Sequence, residues 1–238
     1  MIAVAFDTTS DHLSVAARDA SGHVVSRSLD GARRHAAALL PLIAEMSVDL
    51  GADPRGIDTL VLADGPGSFT GLRVGAAVMK AFARALPRPP AIWAASSLLV
   101  RAAGAARAHG ARVLVATPAL RDEVYWARYR LDLPRSVETL DAPSVLLPDL
   151  IPGEDVDLVV ADLPPKLLDR VVDRLQVPAI RPLQSLPHAE ALFALIGVPG
   201  GAVSIADPDG WEPIYGRPAE AQRKWEVAHG KPLPHSVR

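Results

Sequence analysis

Apolar and polar positions along the chain fall first into short β-type runs and then into helical stripes. Ile2 to Phe6 is an unbroken apolar run with β-branched members, and it ends at Asp7-Thr8-Thr9-Ser10. Leu13 to Arg18 and His23 to Ser28 read as two further strands. The tetrapeptide Asp19-Ala20-Ser21-Gly22 between them is a turn in which Gly22 takes positive φ freely. Three successive strands predict an antiparallel meander. From about Arg33 to Leu50 the period lengthens: Leu39, Ile43, Met46 and Leu50 form one helical stripe, widened by Leu40 and Leu42. Pro41 lies inside that stripe, so it either kinks the helix or marks a late start, and Gly51 suits the C-terminal cap. Thr59 to Ala63 is a buried-type strand, a helix follows from about Gly71 to Leu86 up to Pro87, and Ala91 to Ala95 is another strand. A meander followed by strand, helix and strand predicts an α/β layer architecture.

Beyond residue 99 the pattern loosens. Arg112 to Thr117, Glu123 to Leu131 and Asp157 to Asp162 predict strands, while Leu167 to Leu175 and His188 to Ile196 predict helices. Prolines imply turns at Pro143, Pro148, Pro152 and Pro164-Pro165. Both halves place a hairpin-like strand after an opening strand, a hint of duplicated architecture. Past Gly216 the chain is polar and aperiodic, which predicts a loosely held tail.

Composition narrows the function classes. Of 238 residues, 49% are hydrophobic and 22% charged, a globular balance. A formal net charge of -2 lacks the electrostatic footprint of a dedicated nucleic-acid binder, which leaves open RNA touched through a partner. The absence of cysteine excludes disulfides, thiolate metal sites and a cysteine nucleophile. The opening MIAVAFDTTS has neither a basic start nor a long apolar stretch, and no apolar run reaches membrane-spanning length, so a cytoplasmic protein is expected.

The densest motif is Asp64-Gly-Pro-Gly-Ser-Phe-Thr-Gly71, between a buried strand and a helix. Free amides and the helix dipole at such a junction suit an anion. No Gly-Lys-Ser/Thr follows, so this is not a P-loop, and Gly71 comes one residue late for the dinucleotide fingerprint. The structural reading is a tight turn capped by Ser68 or Thr70. In the helix beyond it, Gly71, Gly75 and Ala76 leave one side bare, while Leu72, Val78, Met79 and Phe82 supply bulk. Glycine in a helix costs roughly 1 kcal/mol relative to alanine, which asks for a packing reason. Close approach of another helix, in this chain or a second one, is the expected reason.

Asp64-Gly-Pro-Gly-Ser-Phe-Thr-Gly-Leu-Arg-Val-Gly75 closely resembles the GPGSFTGLRxG signature of the TsaB (YeaZ) family. Four more segments agree in order: Phe6 to Ser10, the first-helix run from His35 to Ile43, Glu123 to Trp126, and Pro213-Ile-Tyr-Gly-Arg217. In the first helix Ala36 replaces a serine, and in the last segment Gly216 replaces a leucine. The Ala116 to Asp122 loop departs from the family, with Pro118 where an aspartate is frequent, so the resemblance assigns that loop no role.

This resemblance implies an α/β, two-lobed, actin-like fold with mixed sheets, flanking helices and a degenerate second lobe. The first lobe is expected over residues 1–98, a smaller second lobe over 99–216 and a polar tail over 217–238. It further implies a non-catalytic scaffold or activator subunit in the synthesis of threonylcarbamoyladenosine in tRNA, supporting a TsaD-like transferase. A TsaE-like ATPase would join the pair, tRNA would be met only within the complex, and the isolated chain would form a homodimer. Two first-lobe helices are implied as the interface: His35, Leu39, Leu40, Leu42, Ile43 and Met46 on one, with Gly71, Leu72, Arg73, Gly75, Ala76 and Met79 on the other. The related transferase carries a metal-binding HxxxH whose positions fall here on Ser97 and Arg101, and a guanidinium has no lone pair for a metal. The seven histidines show no pair at helical metal spacing. Asp7, with Gly65, Gly67 and Ser68, is the candidate nucleotide site, but Thr8-Thr9 replaces the glycine-containing turn of superfamily members that use ATP. The expectation is therefore no cofactor on this chain alone, with ATP and metal used by partners. An independent actin-like ATPase or kinase and a metallopeptidase are the alternatives.

Overall fold

The computed structural model describes residues 2–31, 34–106, 108–177, 179–180, 186–216 and 228–230. The meander forms as expected: β1 (Ile2–Asp7), β2 (His12–Asp19) and β3 (Val24–Asp30) pair antiparallel. After α1 (His35–Asp49), β4 (Ile57–Ala63) lies parallel to β1, and after α2 (Phe69–Ala85), β5 (Ala91–Ala95) lies parallel to β4. The helix α1 runs through Pro41 without a break, so the proline does not mark its start. Pro41 is exposed, and so is Ala37 one turn earlier, so the carbonyl that loses its amide partner faces water.

The second sheet repeats this plan. β6 (Ala111–Pro118), β7 (Val124–Asp132) and β8 (Ser136–Leu146) form an antiparallel meander, and β9 (Leu158–Ala161) and β10 (Ala179–Ile180) add in parallel beside β6. Both sheets thus have the order third, second, first, fourth, fifth strand. That duplicated order is the actin-like arrangement, and the weak internal symmetry of the sequence reflects it. The second lobe is the reduced copy: where the first inserts α1, it has only the 3₁₀ turn Pro148–Leu150. α4 (Pro165–Leu175) then covers its outer face with Leu167, Leu168, Val171 and Leu175.

The lobes are interleaved. α3 (Ser97–Ala105) leaves β5 and packs on β6 and β7, whereas the 3₁₀ helix Ala189–Leu195 leaves the second lobe and packs on β1, β2 and β4. Strand alternation sorts the cores accordingly. Ile2, Val4 and Phe6 of β1 join Leu39, Ile43, Met46 and Met79 beneath α1 and α2. Ala3 and Ala5, on the opposite face, meet the central core of α3 and the 3₁₀ helix, where small side chains permit close approach.

Three elements differ from the sequence expectation. α3 was read as pattern-free because Leu98, Leu99, Val100, Arg101 and Ala102 are all buried, which leaves no polar face to set a period. β8 contains Pro143, where a turn was expected; it is an edge strand, and between Trp126↔Ser144 and Arg128↔Asp141 it carries one residue more than β7, a bulge that absorbs the proline. Residues 203–216, grouped with the second lobe, return to the first: β11 (Val203–Ser204) pairs with β5, and the strap beyond it follows α2 through Lys80–Glu212 and Arg84–Asp209. Apart from residues 228–230, the expected tail lies outside the described residues. Among the described residues no helix is long and apolar enough to cross a membrane.

Candidate functional site between the lobes

Parallel β1 and β4 end side by side, so the turns leaving them, Thr8–Asp11 and Asp64–Ser68, share one rim of the interlobe cleft. The ends of β6 and β9 bring Thr117, Pro118, Asp162, Leu163 and Pro164 to the opposite rim, and α3 supplies Ser97 and Arg101 at the base. The cleft encloses about 440 Å³. Clefts at the carboxyl ends of strands are the usual ligand position in α/β proteins.

The glycine-rich motif is explained by packing within the chain. A Cβ at Gly71 would stand 1.8 Å from the Thr8 carbonyl oxygen, and one at Gly67 would stand 2.2 Å from that of Thr9. Backbone meets backbone here: the Ser68 amide donates to Thr9 O at 2.6 Å, and Thr8 Oγ1 donates to Gly71 O at 2.8 Å. Gly75 faces Thr8 Oγ1 and the Phe6 ring. The expected neighbouring helix is therefore the β1–β2 turn, and the bare side of α2 is filled by its own chain. Ser68 is the N-cap, accepting from the Gly71 amide at 3.2 Å.

Gly65, at φ +115°, leaves no room for a side chain because Ile214 O is 2.0 Å from its notional Cβ. The Ile214 amide donates to Asp64 O at 2.7 Å, the Tyr215 ring lies 4.9 Å from Phe69, and the Arg73 guanidinium sits 4.0 Å from the Phe69 ring centroid. Tyr125 Oη reaches Tyr215 O at 3.4 Å from the second lobe. The glycine-rich motif and Pro213–Gly216, about 150 residues apart in sequence, are thus one packing unit; Arg217 lies outside the described residues.

Charge is concentrated under the cleft. Asp7 is wholly buried; its Oδ1 accepts from Thr9 N at 2.8 Å and Thr9 Oγ1 at 2.7 Å, while Oδ2 has no partner. Burial pushes its carboxyl up, and the Arg101 charge opposes that shift. Asp64 is pushed up to about 7 by burial, with the Asp7 charge adding to it, and its Oδ1 is also without a partner. Arg101 is 3% exposed, with Nη1 3.4 Å from Asp162 Oδ2.

A metal at the positions of the related HxxxH does not fit this arrangement. Ser97 Oγ donates to Pro66 O at 2.6 Å, and Arg101 places a positive charge where a cation would have to sit. No group of three or more His, Asp or Glu side chains suited to a metal occurs among the described residues. His35 is buried, with Nε2 3.3 Å from Asp11 O.

Residues 29–157, just over half of the chain, match the family described as "TsaD: tRNA N6-adenosine threonylcarbamoyltransferase". Among curated proteins, the tRNA threonylcarbamoyladenosine biosynthesis protein TsaB of Escherichia coli is 33% identical over 149 residues, covering 62% of this chain and 63% of that protein. The chain belongs to the TsaB (YeaZ) branch of that family. The TsaB of Haemophilus influenzae is 35% identical over 130 residues, 52% of each chain. Matches to these curated relatives span between about half and two thirds of their length. YeaZ from Pseudomonas aeruginosa superposes with a TM-score of 0.71 at 28% identity, over 90% of this chain and 99% of the other. A second Pseudomonas aeruginosa structure, of an uncharacterised protein with similarity to peptidase YeaZ, gives a TM-score of 0.74 at 28% identity, over 91% and 99%.

In this family member the residues expected at a partner interface divide sharply. His35, Leu39, Ile43, Met46, Gly71, Leu72, Gly75, Ala76 and Met79 are buried in the chain's own lobe. Leu42 is half-buried, and Leu40 and Arg73 face outward. Sequence reasoning passed over the rest of that outward face: Ala36, Ala37, Pro41, Ala44 and Val48 on α1, with Thr70, Ala77 and Ala81 on α2. Because α1 is apolar nearly all round, its period did not distinguish the inward face from the outward one. Asp64 and Asp162 were not among the expected site residues; the one signal was Asp64 opening the glycine-rich motif.

Proposed function

We propose that this chain is a non-catalytic scaffold subunit in the biosynthesis of threonylcarbamoyladenosine in tRNA, binding a TsaD-like transferase through the outward face of α1 and α2. The observation that carries this reading is that face itself: Ala36, Ala37, Leu40, Pro41, Ala44 and Val48 give a surface helix an apolar solvent side, which ordinary surface helices lack and interfaces use. Leu40 is 47% and Val48 68% exposed, so association has apolar area left to bury, worth about 1–2 kcal/mol per side chain. Relatives named TsaB support the pathway. In the same reading a TsaE-like ATPase joins the pair, tRNA is met only in the complex, and a second copy of the chain occupies the face when the partner is absent. The chain binds neither nucleotide nor metal alone: Arg101 supports this for the metal, and the partners supply both.

Leu40→Glu with Ala44→Glu tests the interface. Both positions face solvent, so the variant is expected to keep the wild-type circular dichroism, to elute as a monomer, and to fail both in pull-down of the TsaD-like protein and in a reconstituted tRNA modification assay. Full binding and modification by the folded variant would sink the proposal.

A further inference from the structure

After β11 the chain runs along the first lobe and then meets the second. Ile205 N donates to Ile92 O at 2.8 Å, Lys80–Glu212 and Arg84–Asp209 fasten the strap along α2, and Pro213 is buried. At the end of the strap the Ile214 amide donates to Asp64 O and the Tyr215 ring packs on Phe69, so it is held at the start of α2. There it reaches β7, where Tyr125 Oη donates to Tyr215 O at 3.4 Å. Gly216 then lies against both lobes at once. A Cβ on it would stand 2.6 Å from Pro66 Cβ, in the glycine-rich junction of the first lobe, and 2.8 Å from Tyr125 Cε1, in the second sheet. Pro66 lines the cleft, and Tyr125 stands directly opposite Thr117, another cleft residue. Neither neighbour yields easily: one is a proline ring, and the other is a tyrosine only 5% exposed.

We propose that Ile214–Gly216 is an interlobe clasp, anchored on the first lobe at Asp64 and Phe69 and seated against Tyr125 of the second, that sets how far apart the two rims of the cleft stand. The lobes also meet where α3 packs on the 3₁₀ helix Ala189–Leu195. One packed contact leaves two lobes free to rock about it, as hinged proteins do. A second contact, at the cleft rim, removes that motion. Gly216, at φ +73°, is what lets the rims approach, because a residue without Cβ adopts that backbone at no steric cost. Asp64 and Phe69 stand just before and at the start of α2. The clasp therefore also holds the first turn of the helix that carries the outward apolar face.

The test uses the full chain, which has no cysteine of its own. Ser28→Cys with Ser144→Cys puts one spin label on exposed β3 and one on exposed β8, toward the cleft end of each sheet. Double electron–electron resonance then reads the spacing of the lobes. One narrow distance is expected in this labelled parent. A broad or two-peaked distribution would overturn the clasp before any further substitution is made. Gly216→Ala drives a methyl group against both rims. Carbon atoms pack at about 3.5–4.0 Å, so the mean distance should lengthen by about 1 Å, or the distribution broaden if the strap end is expelled. Gly110→Ala is the control: its φ is also +73°, but nothing lies within 4 Å of a Cβ there. It carries the same backbone strain without the wedge and should keep the parent distance. A Gly216→Ala distribution equal to that of Gly110→Ala would overturn the proposal.

Discussion

Leu39 and Leu40 are neighbours in sequence, yet one turns into the core and the other toward solvent, with exposures of 0% and 47%. Truncating each to alanine separates the two faces of the helix. Leu39 packs in the core beneath α1 with Ile43, Met46 and the inward side chains of β1. A Leu→Ala change at such a site costs about 2–5 kcal/mol, from lost transfer energy and from the cavity left behind. In a chain of this length that corresponds to a melting temperature lower by ~5–15 °C. Leu40→Ala removes a side chain already half in water and installs a better helix former, so the two effects nearly offset and the change should stay below about 1 kcal/mol. Thermal unfolding followed by circular dichroism measures both, and pull-down of the TsaD-like protein gives the second readout. Leu40→Ala should leave stability intact and weaken binding. Equal losses of stability in the two variants would refute the orientation of α1, and with it the outward face on which the interface rests.

Gly71→Ala places a methyl group 1.8 Å from the Thr8 carbonyl oxygen, so α2 must move off the β1–β2 turn; a loss of stability above about 2 kcal/mol is expected in denaturant titration, and a neutral result would refute the close approach. Asp64 carries its proton to about pH 7 when folded, whereas an ordinary carboxyl in the unfolded chain loses it near 4. Between these values folding takes up a proton, so stability should fall as pH rises from 4 to 7, by up to about 1.4 kcal/mol per pH unit, and level off above. Asp64→Asn should remove the Asp64 share of this slope, leaving that of Asp7, and be most stabilising above pH 7; an unchanged pH profile by calorimetry would refute the buried, protonated carboxyl.

Much of the first lobe was readable because its buried strands are apolar runs bounded by turn residues and α2 presents one face to a core and one to water. α2 carries that contrast in its own residues, the glycine-rich segment announced a tight strand-to-helix junction, and the five segments shared with the family placed the chain. Local pattern could not say what the junction's glycines approach. The small side of α2 was read as a helix-packing face, and the tertiary structure filled it with the Thr8 and Thr9 backbone, about 60 residues away in sequence. α3 carried no period because core surrounds it on every side. α1 carried one too broad to orient, since Ala36, Ala37, Leu40, Pro41, Ala44 and Val48 on its solvent side are apolar too, with Glu45 and Asp49 beside them. Position 101 shows the division most plainly. An arginine at the position of a metal ligand was visible in the sequence, and a guanidinium offers a metal no lone pair. That its charge lies buried against Asp162 depends on a chain segment 61 residues distant, brought to it only when α3 packs on the second sheet.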